Sequence, residues 1–296
     1  MRIGSLVLTI FVFSLLSGPL SASPLQSLEA QKLSVATQKD VEYGVAEGES
    51  LKLDLFLPNG AADGRTRPAV VFIHGGGWVG GDKSEFDGKA EEMAKRGYVA
   101  VTANYRLAPK HRFPAAVQDL QQVVRWLRGH AAMYHLDPDR IGSMGASAGG
   151  HLAAFLGVHD TWNAGRATGN GPSSRVNCVV DYYGRMDLNM KQGGTDFRPA
   201  YAGKPGADSV DAYREASPIT YVDAHTVPFL IVQGARDPQV WPDQSQRMLE
   251  ALDKANIPVS LLLLGGQGHG FGGEADRLAW ETAKSFLDAH LKPGNG

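Results

Sequence analysis

Five stretches of the chain are continuous, predominantly apolar runs: Ala69–Ile73 (AVVFI), Tyr98–Thr102 (YVAVT), Cys178–Val180, Phe229–Val232 and Val259–Leu264 (VSLLLL). Short runs without alternation are the pattern of strands buried on both faces of a parallel sheet. Leu51–Leu57 (LKLDLFL) differs, alternating Leu with mixed residues, and predicts a half-buried strand. The candidate strand Asp40–Val45 stands just ahead of it, so the two are expected to pair as a hairpin. Between the strands lie segments of helical period. Val117–Leu127 puts Leu120, Val123, Val124 and Leu127 on one face, and Ser245–Ala255 and Leu278–Leu291 follow the same rule. Strands alternating with helices predict an α/β fold, a mostly parallel twisted sheet with helices on both faces. No repeat or low-complexity linker interrupts it, which predicts one domain over residues 24–296. Lys191–Ala216 is polar and Gly-rich and reads as an excursion over the surface, beside the active site.

The first 23 residues read differently. After Arg2 there is no charge until Glu29, and Ser5–Leu16 (SLVLTIFVFSLL) is apolar, followed by Gly18-Pro19 and the small residues Ser21-Ala22-Ser23. That order predicts a signal peptide and an exported protein, periplasmic or secreted. The apolar run is shorter than the ~20 residues that span a bilayer, so no stable membrane anchor is expected. With 29 Lys and Arg against 31 Asp and Glu, the chain has no basic footprint for nucleic acid. A single cysteine, Cys178, excludes an internal disulfide and a thiolate metal cage. No metal or organic cofactor is expected. Glycine is the outlier, 36 of 296 residues against an average of ~7%. Such an excess marks backbone that needs positive φ or close approach, so the glycines lead to the chemistry.

Gly145-Ala146-Ser147-Ala148-Gly149 is a G-x-S-x-G, a weak signal alone. Here a short strand, Arg140–Met144, enters it and a helix starting at His151 leaves it. A strand-to-helix elbow projects the serine Oγ outward, and residues two before and two after must be small because their backbones pack close. His74-Gly75-Gly76-Gly77-Trp78 directly follows the Ala69–Ile73 strand. A glycine run there frees backbone N–H groups to face a developing oxyanion. It is not in register for a P-loop.

A nucleophilic serine needs a base, and the base an orienting acid. Of the nine histidines, His269 lies in a loop just after a late apolar strand, in Gly268-His269-Gly270-Phe271. His151, His130, His135 and His290 fall in or beside helices and read as structural or surface residues. Asp237 closes the Phe229–Val232 strand, between serine and histidine in chain order, as the elbow fold requires. Asp181 and Asp187 are the competing carboxylates and read better as turn residues.

Together these features resemble the α/β-hydrolase superfamily, and within it the secreted carboxylesterases of the feruloyl/acetylxylan esterase-like type, close to the hormone-sensitive-lipase-like group. The resemblance runs from about Val41 to Leu291. It includes Gly80-Gly81-Asp82-Lys83, Asn104–Pro109 (NYRLAP), Phe113–Val117 leading to Asp119, and Asp137–Ile141. It implies Ser147 as nucleophile, His269 as base and Asp237 as its partner, with the N–H groups of Gly76, Gly77 and Ala148 forming the oxyanion hole. It implies structural roles for Arg106, Asp119 and Asp82. Two departures matter. Ala146 stands where the lipase-like group has an acidic residue, and about 16 residues between the signal and the Asp40 strand are too few for that group's N-terminal cap. The uncapped esterase type is therefore expected. Trp241 stands where the family often has proline, as packing or as pocket lining.

The expected chemistry is ester hydrolysis through an acyl-enzyme, with activity rising through neutral pH as an imidazole of ordinary pKa ~6.5 becomes neutral. An open site favours a short acyl group and a bulky alcohol, so the expected partner is a small-molecule or glycan ester. Two alternatives stand beside it. HGGGW also fits the pattern of kynurenine formamidases, and some hydrolase-fold proteins are non-catalytic binding modules.

Overall fold

In a computed structural model, residues 34–59, 65–160, 172–191, 193–203 and 209–292 are described. The segment expected to be a signal peptide, residues 1–23, lies outside them. Among the described residues no helix is long and apolar enough to cross a membrane.

The eight strands are β1 (Val35–Ala46), β2 (Glu49–Pro58), β3 (Arg67–Ile73), β4 (Val99–Ala103), β5 (Leu136–Ala146), β6 (Cys178–Tyr182), β7 (Phe229–Gly234) and β8 (Val259–Leu264). They form one sheet in the order β1-β2-β4-β3-β5-β6-β7-β8. β1 and β2 are the expected hairpin, and β2 meets β4 antiparallel, while every later pairing is parallel. Around the sheet lie α1 (Asp87–Lys95), α2 (Ala115–Gly129), α3 (Ala148–Val158), α4 (Arg198–Tyr201), α5 (Ser209–Glu215), α6 (Pro242–Lys254) and α7 (Gly273–Leu291).

Both faces of the central strands are covered, which is why their sequences do not alternate. From β3, Ala69, Val71 and Ile73 enter the core beneath α2, α3 and α6, while Val70 and Phe72 enter the core beneath α1 and α7. Two strands depart from expectation. β2 is more buried than a half-exposed strand, because Asp54 is covered and its carboxylate accepts from Lys83 Nζ and Lys39 Nζ, the latter at 2.9 Å. Burial alone would raise the Asp54 carboxyl, but the backbone N–H of Asp40 and the two ammonium groups hold it below its ordinary value. β8 is less buried than its apolar run predicts, since it closes the edge of the sheet and leaves Leu263 51% exposed.

Helix α1 had no clear sequence signal, because only Ala90, Met93 and Ala94 are buried on it. The segment expected as a polar excursion is also more than that: Tyr201 and Ala216 are buried in it. The register carries the site. Ile73 aligns with Gly145, Gly145 with Asp181, Tyr182 with Val232 and Gly234 with Leu264, so the carboxyl ends of β3, β5, β6, β7 and β8 lie along one edge.

Candidate active site

Ser147 stands between β5 and α3 with φ 56° and ψ −119°, a left-handed conformation uncommon for a residue with a side chain. Its flanking glycines are obligatory. A Cβ on Gly145 would sit 2.2 Å from the Gly149 carbonyl oxygen, and one on Gly149 would sit 2.0 Å from that of Ile73. The Ser147 N–H donates to the Tyr182 carbonyl at 2.8 Å, tying the elbow to the end of β6.

His269 is brought to Ser147 by the loop after β8, with Nε2 2.9 Å from the serine Oγ. Its Nδ1 lies 2.8 Å from Asp237 Oδ2 in the loop after β7. Asp237 is 3% exposed, and its Oδ1 accepts from the N–H of Gln239 at 2.8 Å and of Val240 at 2.9 Å. Burial would raise its carboxyl, but the His269 hydrogen bond and these amides outweigh burial and hold it below the ordinary carboxylate value. An ionised Asp237 places the imidazole proton on Nδ1 and turns the Nε2 lone pair toward the serine hydroxyl.

The glycine run after β3 forms the facing wall. Gly76 and Gly77 have φ of 100° and 61°, and a Cβ on Gly77 would strike the Phe197 ring. Among the described residues nothing accepts a hydrogen bond from the N–H of Gly76, Gly77 or Ala148, whereas the Gly75 N–H donates to Glu85 Oε2 at 3.3 Å. His74 is scaffold: its ring stacks on Tyr105 at 4.4 Å, its Nδ1–H donates to the Gly75 carbonyl, and burial holds its pKa down.

Ser147, His269 and all three amide-bearing residues line or border one cleft of about 380 Å³. The cleft is completed by residues with no signal in the sequence, among them Glu85, Tyr183, Arg185, Phe197 and Val240. Phe197 and Thr195 lie within the segment read as a surface excursion, which therefore supplies part of the wall. Trp241 is 41% exposed and does not line the cleft.

The competing carboxylates lie elsewhere. Asp181 is fully buried on β6 and accepts from the Gly184 N–H at 2.8 Å, and burial pushes its carboxyl up to about 7. Asp187 accepts from the Asn189 N–H and pairs with Arg247. His151 is buried in α3, and burial lowers its pKa to about 3. The Arg106 guanidinium and Asp119 form a buried ion pair, and Asp82 accepts from the Ser84 N–H and the Asn104 amide.

A parallel-sheet core with a serine elbow, a histidine and an acid at successive strand ends defines the α/β-hydrolase fold with a triad of the serine-hydrolase kind. Residues 53–252 match the model of the BD-FAE family, and the chain belongs to that family. It is 31% identical over 267 residues to esterase LipQ of Mycobacterium tuberculosis, covering 85% of this chain and 62% of that protein. The chain thus spans about half to two thirds of the length of the first curated relatives it matches. It is 29% identical to the ethyl acetate hydrolase of Pseudomonas putida over 78% of this chain and 74% of that one. Among solved structures it is similar to the thermophilic esterase Est2 of Thermogutta terrifontis, with a TM-score of 0.74, 28% identity, and 90% and 96% of the two chains covered.

Proposed function

We propose that the protein is a serine carboxylic-ester hydrolase that works through an acyl-enzyme on short-acyl or aryl esters, with acetyl or feruloyl groups on plant polysaccharide or sugars as the substrate class. One observation carries the reading: an unbroken hydrogen-bond chain from Asp237 through His269 to Ser147, opening on a cleft edged by unpartnered amides.

In this reading Ser147 Oγ attacks the ester carbonyl as His269 Nε2 takes its proton. Negative charge gathers on the carbonyl oxygen, faced by the N–H groups of Gly76, Gly77 and Ala148, each such donor being worth about 10²–10³ in rate. Collapse expels the alcohol, which takes the proton from His269. Water then enters, gives its proton to the same nitrogen and releases the acid. Asp237 holds the ring and balances the imidazolium. The short-acyl preference is supported by the relative named an ethyl acetate hydrolase and by the structures of Est2 bound to propionate and to butyrate.

The test is hydrolysis of p-nitrophenyl acetate, butyrate and decanoate by the wild type and by Ser147→Ala, each checked for folding. The expected result is a loss of about 10³-fold or more in the variant, with acetate or butyrate preferred over decanoate. Equal, negligible rates for folded wild type and variant on all three esters would sink the reading.

A further inference from the structure

Three residues beyond β6, Arg185 lines the cleft that holds Ser147, and its guanidinium reaches the backbone of Gln239, another residue of that lining. The side chain is 8% exposed, yet its charge has weak partners. Nη2 donates to the Gln239 carbonyl at 3.4 Å, and Nη1 lies 3.6 Å from Asp196 Oδ1, too far for a hydrogen bond. Nη1 is buried with no hydrogen-bond partner. The Asp196 carboxylate is already engaged by Arg198, whose Nε and Nη2 donate to its two oxygens at 2.7 and 2.8 Å. A buried cation served this poorly is costly unless something else completes it.

The backbone beneath Arg185 is fixed. His151, on the first turns of the helix that leaves Ser147, donates Nδ1–H to the Arg185 carbonyl at 2.6 Å. The next two residues, Met186 and Asp187, each donate their N–H to Gln244 Oε1 at 2.7 Å. The guanidinium is therefore presented from a rigid support keyed to the nucleophile elbow and to α6, an arrangement that reduces the ordering cost of binding. Besides the triad's His269, the other ionisable side chain lining the cleft is Glu85, whose carboxylate is exposed and takes the Gly75 N–H. The cleft is thus polarised, cationic at the Arg185 wall.

We propose that Arg185 is a specificity-determining residue that selects esters carrying a carboxylate remote from the scissile bond, the carboxylate completing the guanidinium's unfilled hydrogen bonds. Its planar fork matches a carboxylate in two parallel bonds, and a single guanidinium balances a single negative charge. The proposal rests on the ester-hydrolase reading and narrows it. The carboxylate can belong to the acyl part, as in a half-ester of a dicarboxylic acid, or to the alcohol part, as in an acylated hydroxy acid or uronic acid.

Two matched pairs distinguish these sources: 4-nitrophenyl hydrogen adipate against 4-nitrophenyl hexanoate, and 4-acetoxybenzoate against phenyl acetate. The readout is the ratio of kcat/KM for the anionic over the neutral ester, in wild type, Arg185→Met and Arg185→Lys. In one pair the wild-type ratio should exceed that of Arg185→Met by roughly 10- to 100-fold, as expected for hydrogen bonds to a charged group. Arg185→Lys, which keeps the charge and loses the fork, should fall between. In wild type alone, raising the salt concentration should lower the anionic rate more than the neutral one. Ratios that are the same in wild type and both variants, for both pairs, would overturn the proposal. So would a salt response identical for anionic and neutral esters, a measurement that needs no variant to fold. Turnover of the neutral esters by wild type keeps a failure of this proposal separate from a failure of the esterase reading, since the latter would abolish all four rates.

Discussion

Ser147 holds a left-handed backbone only because its neighbours two positions away have no side chains, and that dependence can be measured. Gly149→Ala would drive a methyl to 2.0 Å from the Ile73 carbonyl oxygen and 2.6 Å from that of His74, backbone atoms that cannot turn aside. The expected loss is about 3 kcal/mol or more of stability, read as a lower urea midpoint, with ester hydrolysis falling alongside. Gly129→Ala is the contrast. It sits at the end of α2 with open space around it, so the same change should stabilise by up to about 1 kcal/mol. Asp181 gives a pH signature of its own. Burial raises its folded-state carboxyl to about 7, above the unfolded value near 3.9, so the folded state holds the extra proton. Its contribution to stability is present in full below the unfolded value and is lost as pH rises toward 7. Asp181→Asn keeps an oxygen for the Gly184 N–H and removes the ionisation. The melting temperature of the variant relative to wild type should therefore rise by at least about 3 °C between pH 4.5 and 8. A constant difference would show that Asp181 is ionised throughout.

Elements are fastened to one another by a few polar contacts of high consequence. Arg106, in the loop after β4, donates from Nε and Nη2 to the Asp119 carboxylate at 2.7–3.0 Å, and its backbone N–H adds another bond at 2.9 Å. Burial would lower the guanidinium's pKa, but the Asp119 carboxylate outweighs it and raises it. Both side chains are nearly inaccessible, so Asp119→Asn leaves the buried cation with only the exposed Glu47 carboxylate, 3.2 Å from Nη1, as counter-charge. It should cost about 3–5 kcal/mol in chemical denaturation. Across the sheet, α7 is tied to α1 through Glu92, which accepts from Trp280 Nε1 at 2.7 Å and Lys284 Nζ at 2.5 Å. These ties explain why α1 forms despite its thin apolar face: a small patch suffices when a long neighbouring helix covers it.

At the scale of the molecule, the candidate triad depends on the whole sheet. Ser147 and His269 are 122 residues apart and Asp237 and His269 are 32 apart, and each is set at its strand's carboxyl end by register alone. The stretch of sheet from β5 to β8 cannot open without separating them. Loss of esterase activity in urea should thus coincide with loss of the near-UV circular dichroism signal. Activity that persisted past the tertiary transition would show that the site survives on local structure. Export is a further proposal at this scale, resting on the apolar Ser5–Leu16 run and the small residues after it. Amino-terminal sequencing of protein recovered from the periplasm or medium should find a start near residue 23, and an intact Met1 would refute it.

Much of this was legible along the chain because its signals are local. Unbroken apolar runs mark strands covered on both sides, and glycines at fixed offsets mark the elbow and the loop after β3. The order serine, aspartate, histidine at strand ends singled out Ser147, Asp237 and His269 before any distance was known. Three features were not legible. The burial of Asp54 depends on Lys39 and Lys83, which come from other elements, and the exposure of Leu263 depends on β8 lying at the edge of the sheet among the described residues. Most consequentially, Glu85, Arg185 and Phe197 share one cleft. Sequence pattern reports what each residue's own backbone and adjacent turns require. Which distant segments meet at a strand end, and which buried charge is left short of partners there, is decided only when the sheet closes its register.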